Sequence, residues 1–242
     1  MSRVSGVKGE KSSRASQARV TRRRMIETAS GMFTVEGYTA TTMDRIADQA
    51  GVAVQTVYYT FGTKGQLLCE AMEFTAAGQH DPVPVVERRW MIEAMTTPSA
   101  RRSLSLIVEH GVDIYERAAP LWPAVNAAAL SDSAVYKYWT GVTAGRRAGM
   151  ARQVARISEL DGLRTGLDAD RATDLMFVLN GHSTFQSLVI EAGWALPTFK
   201  AWLYSSLVQQ LLTPGDPDPS FTADLTFARE ADRWLSRVES PG

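Results

Sequence analysis

The chain has 242 residues, of which 45% are hydrophobic, 21% charged and 9% aromatic, a composition typical of a folded globular protein and not of a disordered or collagen-like one. Its formal net charge is zero, and its one cysteine, Cys69, excludes an intramolecular disulfide and a zinc site built from several cysteines. We find no secretory signal and no apolar stretch long enough to cross a bilayer, so we expect a cytoplasmic protein without a membrane partner.

Charge is unevenly distributed along the chain. Residues 1–64 carry ten basic and five acidic side chains, a net charge of +5, and residues 65–242 carry −5. A basic N-terminal segment on an acidic body suits a module that binds a polyanion, although a solvated basic tail has the same composition. The first 17 residues are polar with few apolar side chains, so a flexible basic arm is predicted there.

Apolar side chains recur at helical spacing along most of the chain, and no alternating strand pattern is present, so an all-α fold is predicted. Four N-terminal helices are predicted: one at 18–37 ending at Gly37, one following the N-cap Thr42 and closed by Gly51, one at 54–61, and one starting at Lys64. Prolines near residue 82 mark a predicted domain boundary. Longer helices are predicted beyond it at about 104–115, 135–157, 170–192, 197–212 and 222–238.

Residues 41–68 have the pattern of a helix-turn-helix. Two short helices cross closely when the first carries a small residue at the crossing, the turn residue tolerates a positive φ, and the second carries a branched apolar residue that fills the junction. These three residue types occur at the required spacing, and an ordinary helical hairpin is the alternative interpretation. The predicted core of the motif consists of Ile46, Ala47, Gly51, Val52 and Val57.

This stretch resembles the N-terminal domain of the TetR family of bacterial transcriptional regulators. Thr41–Ala47 is similar to the family's Thr-Thr-x-x-x-Ile-Ala helix, and Ala50–Val52 to its Ala-Gly-Val turn. Thr56–Phe61 and the following Lys64 resemble the recognition helix and the lysine after it. Gly65 stands where an acidic residue is common in the family.

The resemblance extends over about residues 20–70 and implies an architecture for the whole chain. A three-helix DNA-binding domain at 18–79 would precede a helical effector-binding and dimerisation domain at 80–242. The partners implied are a double-stranded DNA operator, a small-molecule effector and a second copy of the chain, bound through the helices at about 170–192 and 197–212.

The second helix of such a motif enters the major groove with its first residues at the base edges. Base contacts are predicted for Val54, Gln55 and Thr56, and the amide of Gln55 can pair bidentately with adenine. The alternative for Tyr58 or Tyr59 is a buried position at the junction of the two helices. Phosphate contacts are predicted for Thr42, Tyr58, Tyr59, Lys64, Arg22 and Arg23.

The six tryptophans and several other aromatic residues supply walls for a ligand pocket, although most aromatic residues of a domain belong to its core. A mainly apolar or aromatic ligand that prefers a state unable to bind DNA would release it, so the predicted function is a ligand-released repressor. An activator or a co-repressor-dependent regulator is compatible with the same sequence. The predicted pocket residues are Trp90, His110, Tyr115, Trp122, Trp139, His182 and Phe185.

Motifs of enzymes are missing from the sequence, which has no nucleophile elbow, Gly-rich phosphate loop or His-Glu-x-x-His. We therefore predict no enzyme activity, cofactor or metal site. The acidic cluster of Asp168, Asp170 and Asp174 lies at a predicted helix start, where carboxylates stabilise the positive end of the helix dipole. A helical enzyme and a protein-binding adaptor are the alternatives, and DNA binding discriminates between them and the regulator.

Overall fold

The computed structural model describes three ranges of the chain, with side chains from Ser16 onward: residues 6–78, 83–160 and 162–214. Regular structure within these ranges is helical apart from one isolated backbone bridge between Leu163 and Leu212, which confirms the all-α prediction. The helix predicted at about 222–238 lies outside the described residues. None of the helices in these ranges is long and apolar enough to cross a membrane.

The helices follow one another in this order: α1 (Gly6–Ala40), α2 (Met43–Ala50), α3 (Val54–Phe61), α4 (Lys64–Ala77), α5 (Arg89–Thr96), α6 (Ala100–Ala118), α7 (Trp122–Ala129), α8 (Ser133–Leu160), α9 (Ala169–Leu179), α10 (His182–Phe185) and α11 (Leu196–Leu211). Short 3₁₀ turns precede α5 and α7. A π-helical segment, Gln186–Glu191, follows α10.

The first helix begins earlier than the sequence predicted. α1 starts at Gly6, so the segment predicted as a flexible arm up to residue 17 is helical from that residue on. No proline lies between residues 6 and 40, and this part is rich in Lys, Arg, Glu and Ala, which are good helix formers. Gly37 interrupts the helical backbone with a φ of 80°, close to the predicted end of the helix.

The first compact unit comprises the described residues up to 78 together with Arg117–Val142. The predicted boundary at residue 80 marks a break in the chain but not the edge of this unit, because α7 and the start of α8 return to it. Three or four short helices bury little apolar surface alone, and the returning segment enlarges their core. Its buried residues include Met25, Ile26, Ala29, Phe33, Ile46, Val57, Leu67, Leu68, Leu121, Val125 and Val135.

The second compact unit contains Val83–Glu116 and the described residues from 143 to 214. Its helices are α5, most of α6, the greater part of α8, and α9 to α11. Most of the apolar side chains on which these helices were predicted face its interior, but Val178 of α9 is 64% exposed. Side chains with at most 2% exposure include Leu104, Ile107, Val112, Val154, Ile157, Met176, Phe185, Phe199, Leu203, Leu207 and Leu211.

The continuous helix predicted at 170–192 is wrong, because the chain leaves the helical path between α9 and α10. Asn180 has φ −89° and ψ 50°, and Gly181 is extended. A Cβ atom at residue 181 would lie 2.9 Å from the carbonyl oxygen of Val178, so this turn of backbone requires a glycine. The Tyr115 hydroxyl donates a 2.8 Å hydrogen bond to the Asn180 carbonyl and thereby satisfies an acceptor that the break leaves open.

Candidate nucleic-acid interface

The helix-turn-helix is formed by α2, the turn after it and α3. Thr42 caps α2 by accepting a 3.3 Å hydrogen bond from the Arg45 N–H. Gly51 makes the turn in the left-handed region, with φ 64° and ψ 45°. Among the residues predicted for the core of the motif, Ile46, Ala47 and Val57 are at most 1% exposed, and Val52 packs half-buried against them.

The recognition helix α3 separates its residues into an inner and an outer set. Gln55 and Thr56 are exposed, and Tyr59 is 94% exposed, which is unusual for an aromatic side chain. Val54 lies half-buried against the core of the first unit, and its base contact stays a prediction. Tyr58 is 49% exposed. The outer set therefore presents an amide, a hydroxyl and a phenol at one surface.

Lys64, predicted to bind phosphate, forms hydrogen bonds to backbone carbonyls of its own chain. Its Nζ donates hydrogen bonds of 2.8 Å to the carbonyl of Tyr38 and 3.0 Å to that of Thr41, and it lies 4.1 Å from the centre of the Tyr38 ring. Burial lowers the pKa of the ammonium, and the nearby Asp132 opposes that shift. Because two of three N–H donors are occupied, Lys64 positions the end of α1 and the start of α2, and its phosphate contact stays a prediction.

Tyr38 also connects Lys64 to the start of α8. Its hydroxyl donates a 2.6 Å hydrogen bond to Asp132, whose carboxylate accepts the N–H of Ala134 at 2.9 Å as well. The hydrogen bond from Tyr38 holds the pKa of Asp132 below its usual range. Burial, followed by the hydrogen bond to Asp132, raises the pKa of Tyr38. Sequence reasoning missed Asp132, which lies three residues before the predicted helix at 135–157 and directly before α8.

Arg22 and Arg23, also predicted to bind phosphate, each have a carboxylate partner. Arg22 forms an ion pair with Glu70 and lies 5.3 Å from the centre of the Phe61 ring. Arg23 pairs with Glu27 at 2.8 Å on the same helix. Both arginines are exposed, and exposed pairs of this kind stabilise by roughly 0–1 kcal/mol, so a phosphate can compete for the guanidinium groups.

The start of α4 carries a capping box that sequence reasoning also missed. The Gln66 N–H donates to the Thr63 hydroxyl at 3.2 Å, and the Thr63 N–H donates to the Gln66 side chain at 3.0 Å. The signal was the pair Thr63 and Gln66, three residues apart before an apolar run. The cap secures the first turn of the helix that carries Lys64.

Two of the predicted pocket residues belong to the first unit. The rings of Trp122 and Trp139 meet edge to face with their centroids 5.0 Å apart, and both pack against the core that supports the helix-turn-helix. Both residues lie in the first unit, because α7 and the start of α8 return to it, and their place in an effector pocket stays a prediction.

The other five predicted pocket residues lie in the second unit. Trp90 stacks on His110 with a centroid distance of 5.0 Å, and Tyr115 lies 6.1 Å from Phe185. Phe185 is 2% exposed and is a core residue. His182 is half-buried, and burial together with a nearby arginine lowers its pKa. The structure thus forms two ring pairs among these residues, Trp90 with His110 and Tyr115 with Phe185.

A cleft of about 890 Å³ lies in the first unit between α4 and the start of α8. Its lining includes Cys69, Glu70, Glu73 and Tyr138. Burial, reinforced by nearby carboxylates, raises the pKa of the Cys69 thiol to about 12. Burial also raises the pKa of Glu70. The cleft therefore offers neutral thiol and phenol groups beside two acidic side chains.

Comparison with known proteins agrees with this geometry. The family model described as "Bacterial regulatory proteins, tetR family" matches residues 25–71, which span the end of α1, the helix-turn-helix and half of α4. The helix-turn-helix domain of the chain is a TetR-family domain. The chain is a DNA-binding transcriptional regulator that binds DNA through this helix-turn-helix.

A curated relative resembles this TetR-family regulator in sequence. The uncharacterized HTH-type transcriptional regulator TtgW of Pseudomonas putida is 28% identical over 112 residues, which cover 41% of this chain and 81% of the relative. The alignment is therefore concentrated in fewer than half of the residues of this regulator.

Solved structures share the fold of this TetR-family regulator over most of its length. A transcriptional regulator from Saccharomonospora viridis, crystallised in complex with choline, has a TM-score of 0.63 at 19% identity and covers 80% of this chain and 98% of that one. FadR from Bacillus subtilis, in complex with stearoyl-CoA, has a TM-score of 0.59 at 18% identity and covers 77% of this chain and 97% of its own. At these identities the likeness establishes the fold.

Proposed function

We propose that this regulator is a homodimeric repressor that binds a palindromic operator and is released by a small, mainly apolar or aromatic ligand. The observation that carries the proposal is the outer face of α3, where Gln55, Thr56 and Tyr59 are exposed above a buried helix-turn-helix core. A helix of eight residues is about 12 Å long, which is similar to the width of the major groove.

Each exposed group of the motif has a proposed role at the DNA. Gln55 reads adenine through a bidentate amide contact, and Thr56 contacts an adjacent base or a thymine methyl group. Phosphates are proposed to bind the exposed Thr42 at the start of α2 and the hydroxyl groups of the two tyrosines of α3. Arg22 and Arg23 add charge there when they exchange their carboxylate partners for phosphates.

Dimerisation is proposed through α9, α10, the π-helical segment and α11, which replace the two helices predicted at 170–192 and 197–212. Val178 is 64% exposed and Ile190 is 52% exposed. Large apolar side chains on these elements favour burial against a second copy. A dimer presents two recognition helices, and the second half-site supplies contact area that one eight-residue helix lacks.

The proposed effector is a small molecule bound by the second unit. Two solved structures with this fold contain choline and stearoyl-CoA, which supports a small-molecule effector for this chain. A ligand with higher affinity for a dimer whose recognition helices are wrongly spaced lowers the population that fits the operator. A co-repressor-dependent regulator would instead bind its operator more tightly when its ligand is present, and an activator would be identified by increased transcription from the bound operator.

The operator assay begins with selection from random duplex DNA by the full chain. The enriched duplex is then titrated by fluorescence anisotropy with wild type, Gln55→Ala and the control Ser158→Ala, a change at an exposed serine of α8. We expect a palindrome whose half-sites are separated by about one helical turn or a multiple of it. Gln55→Ala should reduce discrimination at one base pair by roughly 1–3 kcal/mol, and the control should leave it unchanged.

Two results contradict the proposal. Failure to enrich any duplex above non-specific binding would contradict operator recognition. Sedimentation of wild type as a monomer at micromolar concentration would contradict the dimer. Val178→Glu is the corresponding interface variant, and it should shift a wild-type dimer towards monomer without changing the fold measured by circular dichroism, because Val178 is mostly exposed in the single chain.

A further inference from the structure

Arg146, on α8 in the second unit, forms no ion pair with any carboxylate in the described ranges. Its guanidinium approaches three neutral oxygens: the Tyr115 hydroxyl at 3.2 Å, the Asn180 carbonyl at 3.4 Å and the Phe177 carbonyl at 3.5 Å. Charge-assisted hydrogen bonds of arginine are usually about 2.7–2.9 Å long. These long contacts leave the positive charge poorly compensated.

The next residue of α8 differs from Arg146 in both its pairing and its exposure. Arg147 forms an ion pair with Asp174 and is exposed to solvent. Arg146 is half-buried and lies over the face of the Phe177 ring at 4.1 Å. A cation that is partly removed from water without a counter-ion is costly for the folded chain, so its surroundings favour an added anion.

The groups around Arg146 are polar and uncharged. The Asn180 side chain is 4% exposed, its Oδ1 has no hydrogen-bond partner, and it lies against Gly111. Rotation of the amide presents an N–H at the same place. Burial and the charge of Arg146 lower the pKa of His182, which is therefore neutral at pH 7 and supplies no second charge.

Aromatic rings of the core pack against Tyr115. The Tyr115 ring lies 6.1 Å from Phe185, and Phe185 lies 5.5 Å from Phe199 in an edge-to-face contact. Phe185 and Phe199 are at most 2% exposed, so a ligand bound here would meet the guanidinium of Arg146 and the half-buried ring of Phe177.

We propose that the second unit binds an apolar molecule bearing a carboxylate, and that Arg146 pairs with that carboxylate beside Tyr115 and Asn180. This assignment rests on the proposed function as a ligand-released regulator and gives its effector a charge. The planar guanidinium matches a carboxylate in a bidentate pair. Because Arg146 also contacts the carbonyls where α9 ends, its pairing with a ligand alters the elements proposed to form the dimer.

The test compares carboxylates with neutral and cationic molecules of the same body. Octanoate and 4-phenylbutyrate are titrated into the full chain beside the corresponding alcohols and primary ammonium compounds, with calorimetry as the readout. We expect each carboxylate that binds to do so at least about tenfold more tightly than its alcohol, the ratio given by about 1.4 kcal/mol of pairing free energy. The wild-type comparison requires no variant and is independent of any effect of mutation on folding.

Three variants test whether Arg146 supplies the charge that pairs with the carboxylate. Arg146→Gln should remove the preference for carboxylate, Arg146→Lys should retain part of it, and the matched control Arg147→Gln should keep it within about twofold, because Arg147 is already paired. The proposal is overturned if no carboxylate binds more tightly than its alcohol, or if Arg146→Gln keeps the preference while remaining folded.

The operator assay separates this proposal from the proposed function. An Arg146-dependent carboxylate preference with no effect on operator affinity would support the anion site and contradict ligand release. Operator binding without any carboxylate preference would overturn the anion site and leave the DNA-binding regulator intact.

Discussion

A Cβ atom on Gly65 would lie 2.5 Å from a carboxylate oxygen of Asp132. The side chain of Asp132 cannot move away freely, since it accepts hydrogen bonds from the Tyr38 hydroxyl and from the backbone of α8. This contact explains why a glycine stands here in a chain whose family commonly has an acidic residue. A second carboxylate at this position would also repel the one already present.

Gly65→Ala should therefore destabilise the chain by about 1–3 kcal/mol through overpacking, although alanine is the better helix former. The free energy of unfolding is measured in urea for Gly65→Ala, Asp132→Ala and the double variant. Removing the Asp132 side chain should relieve most of the clash, so the two changes should be strongly non-additive. Gly31→Ala is the matched control, since its Cβ meets no atom within 4 Å and it should stabilise.

The stability of the chain should depend on the ionisation of Asp132. Its pKa is lower in the folded chain than the unfolded value of about 3.9, because it accepts the Tyr38 hydrogen bond. The stabilisation is thus complete above the unfolded pKa and is lost as the pH falls towards the folded pKa. Unfolding in urea between about pH 6 and about pH 3 should show a shallower decline for Asp132→Asn than for wild type. Asp48→Asn, a change at an exposed aspartate of α2, is the control, and an equal slope for Asp132→Asn and wild type would contradict the assignment.

Cys69 should react slowly with thiol reagents although it lines a cleft. Its pKa of about 12 leaves a thiolate fraction at pH 8 on the order of a thousandfold below that of an ordinary cysteine. Ellman's reagent should label the native chain slowly and the urea-unfolded chain at the normal rate. Rapid labelling of the native chain at pH 8 would show that the thiol is not buried as described.

Tyr59 should contribute to DNA binding and not to the stability of the fold. Because its side chain is 94% exposed, Tyr59→Ala should change the free energy of unfolding by no more than about 0.5 kcal/mol. Loss of its proposed contact should weaken binding to the selected operator by roughly tenfold, or about 1.4 kcal/mol. Tyr136→Ala, which removes a 60% exposed tyrosine of α8, should leave operator binding unchanged. Equal effects of the two changes would argue against a DNA contact by Tyr59.

The sequence by itself determined the helical class, most of the helices and the helix-turn-helix. These features depend on residues close together in the chain: a 3.6-residue apolar period, the N-cap Thr42 and the turn glycine Gly51. Local steric and hydrogen-bonding requirements act over a few residues, so they can be read from the order of the side chains. The exposed Gln55 and the buried Val57 follow from the same short-range geometry.

Only the tertiary structure decided which partners the charged and polar side chains take. Arg22 meets Glu70, and Tyr38 meets Asp132, across separations of 48 and 94 residues. Such contacts arise because packed helices bring distant residues together, and no spacing in the sequence encodes them. The break after α9 also depends on contacts between distant residues, because side chains from α6 and α8 donate hydrogen bonds to the carbonyl that it leaves open. The periodicity of the apolar residues continues across that break, and for this reason the sequence predicted one helix where the folded chain has two.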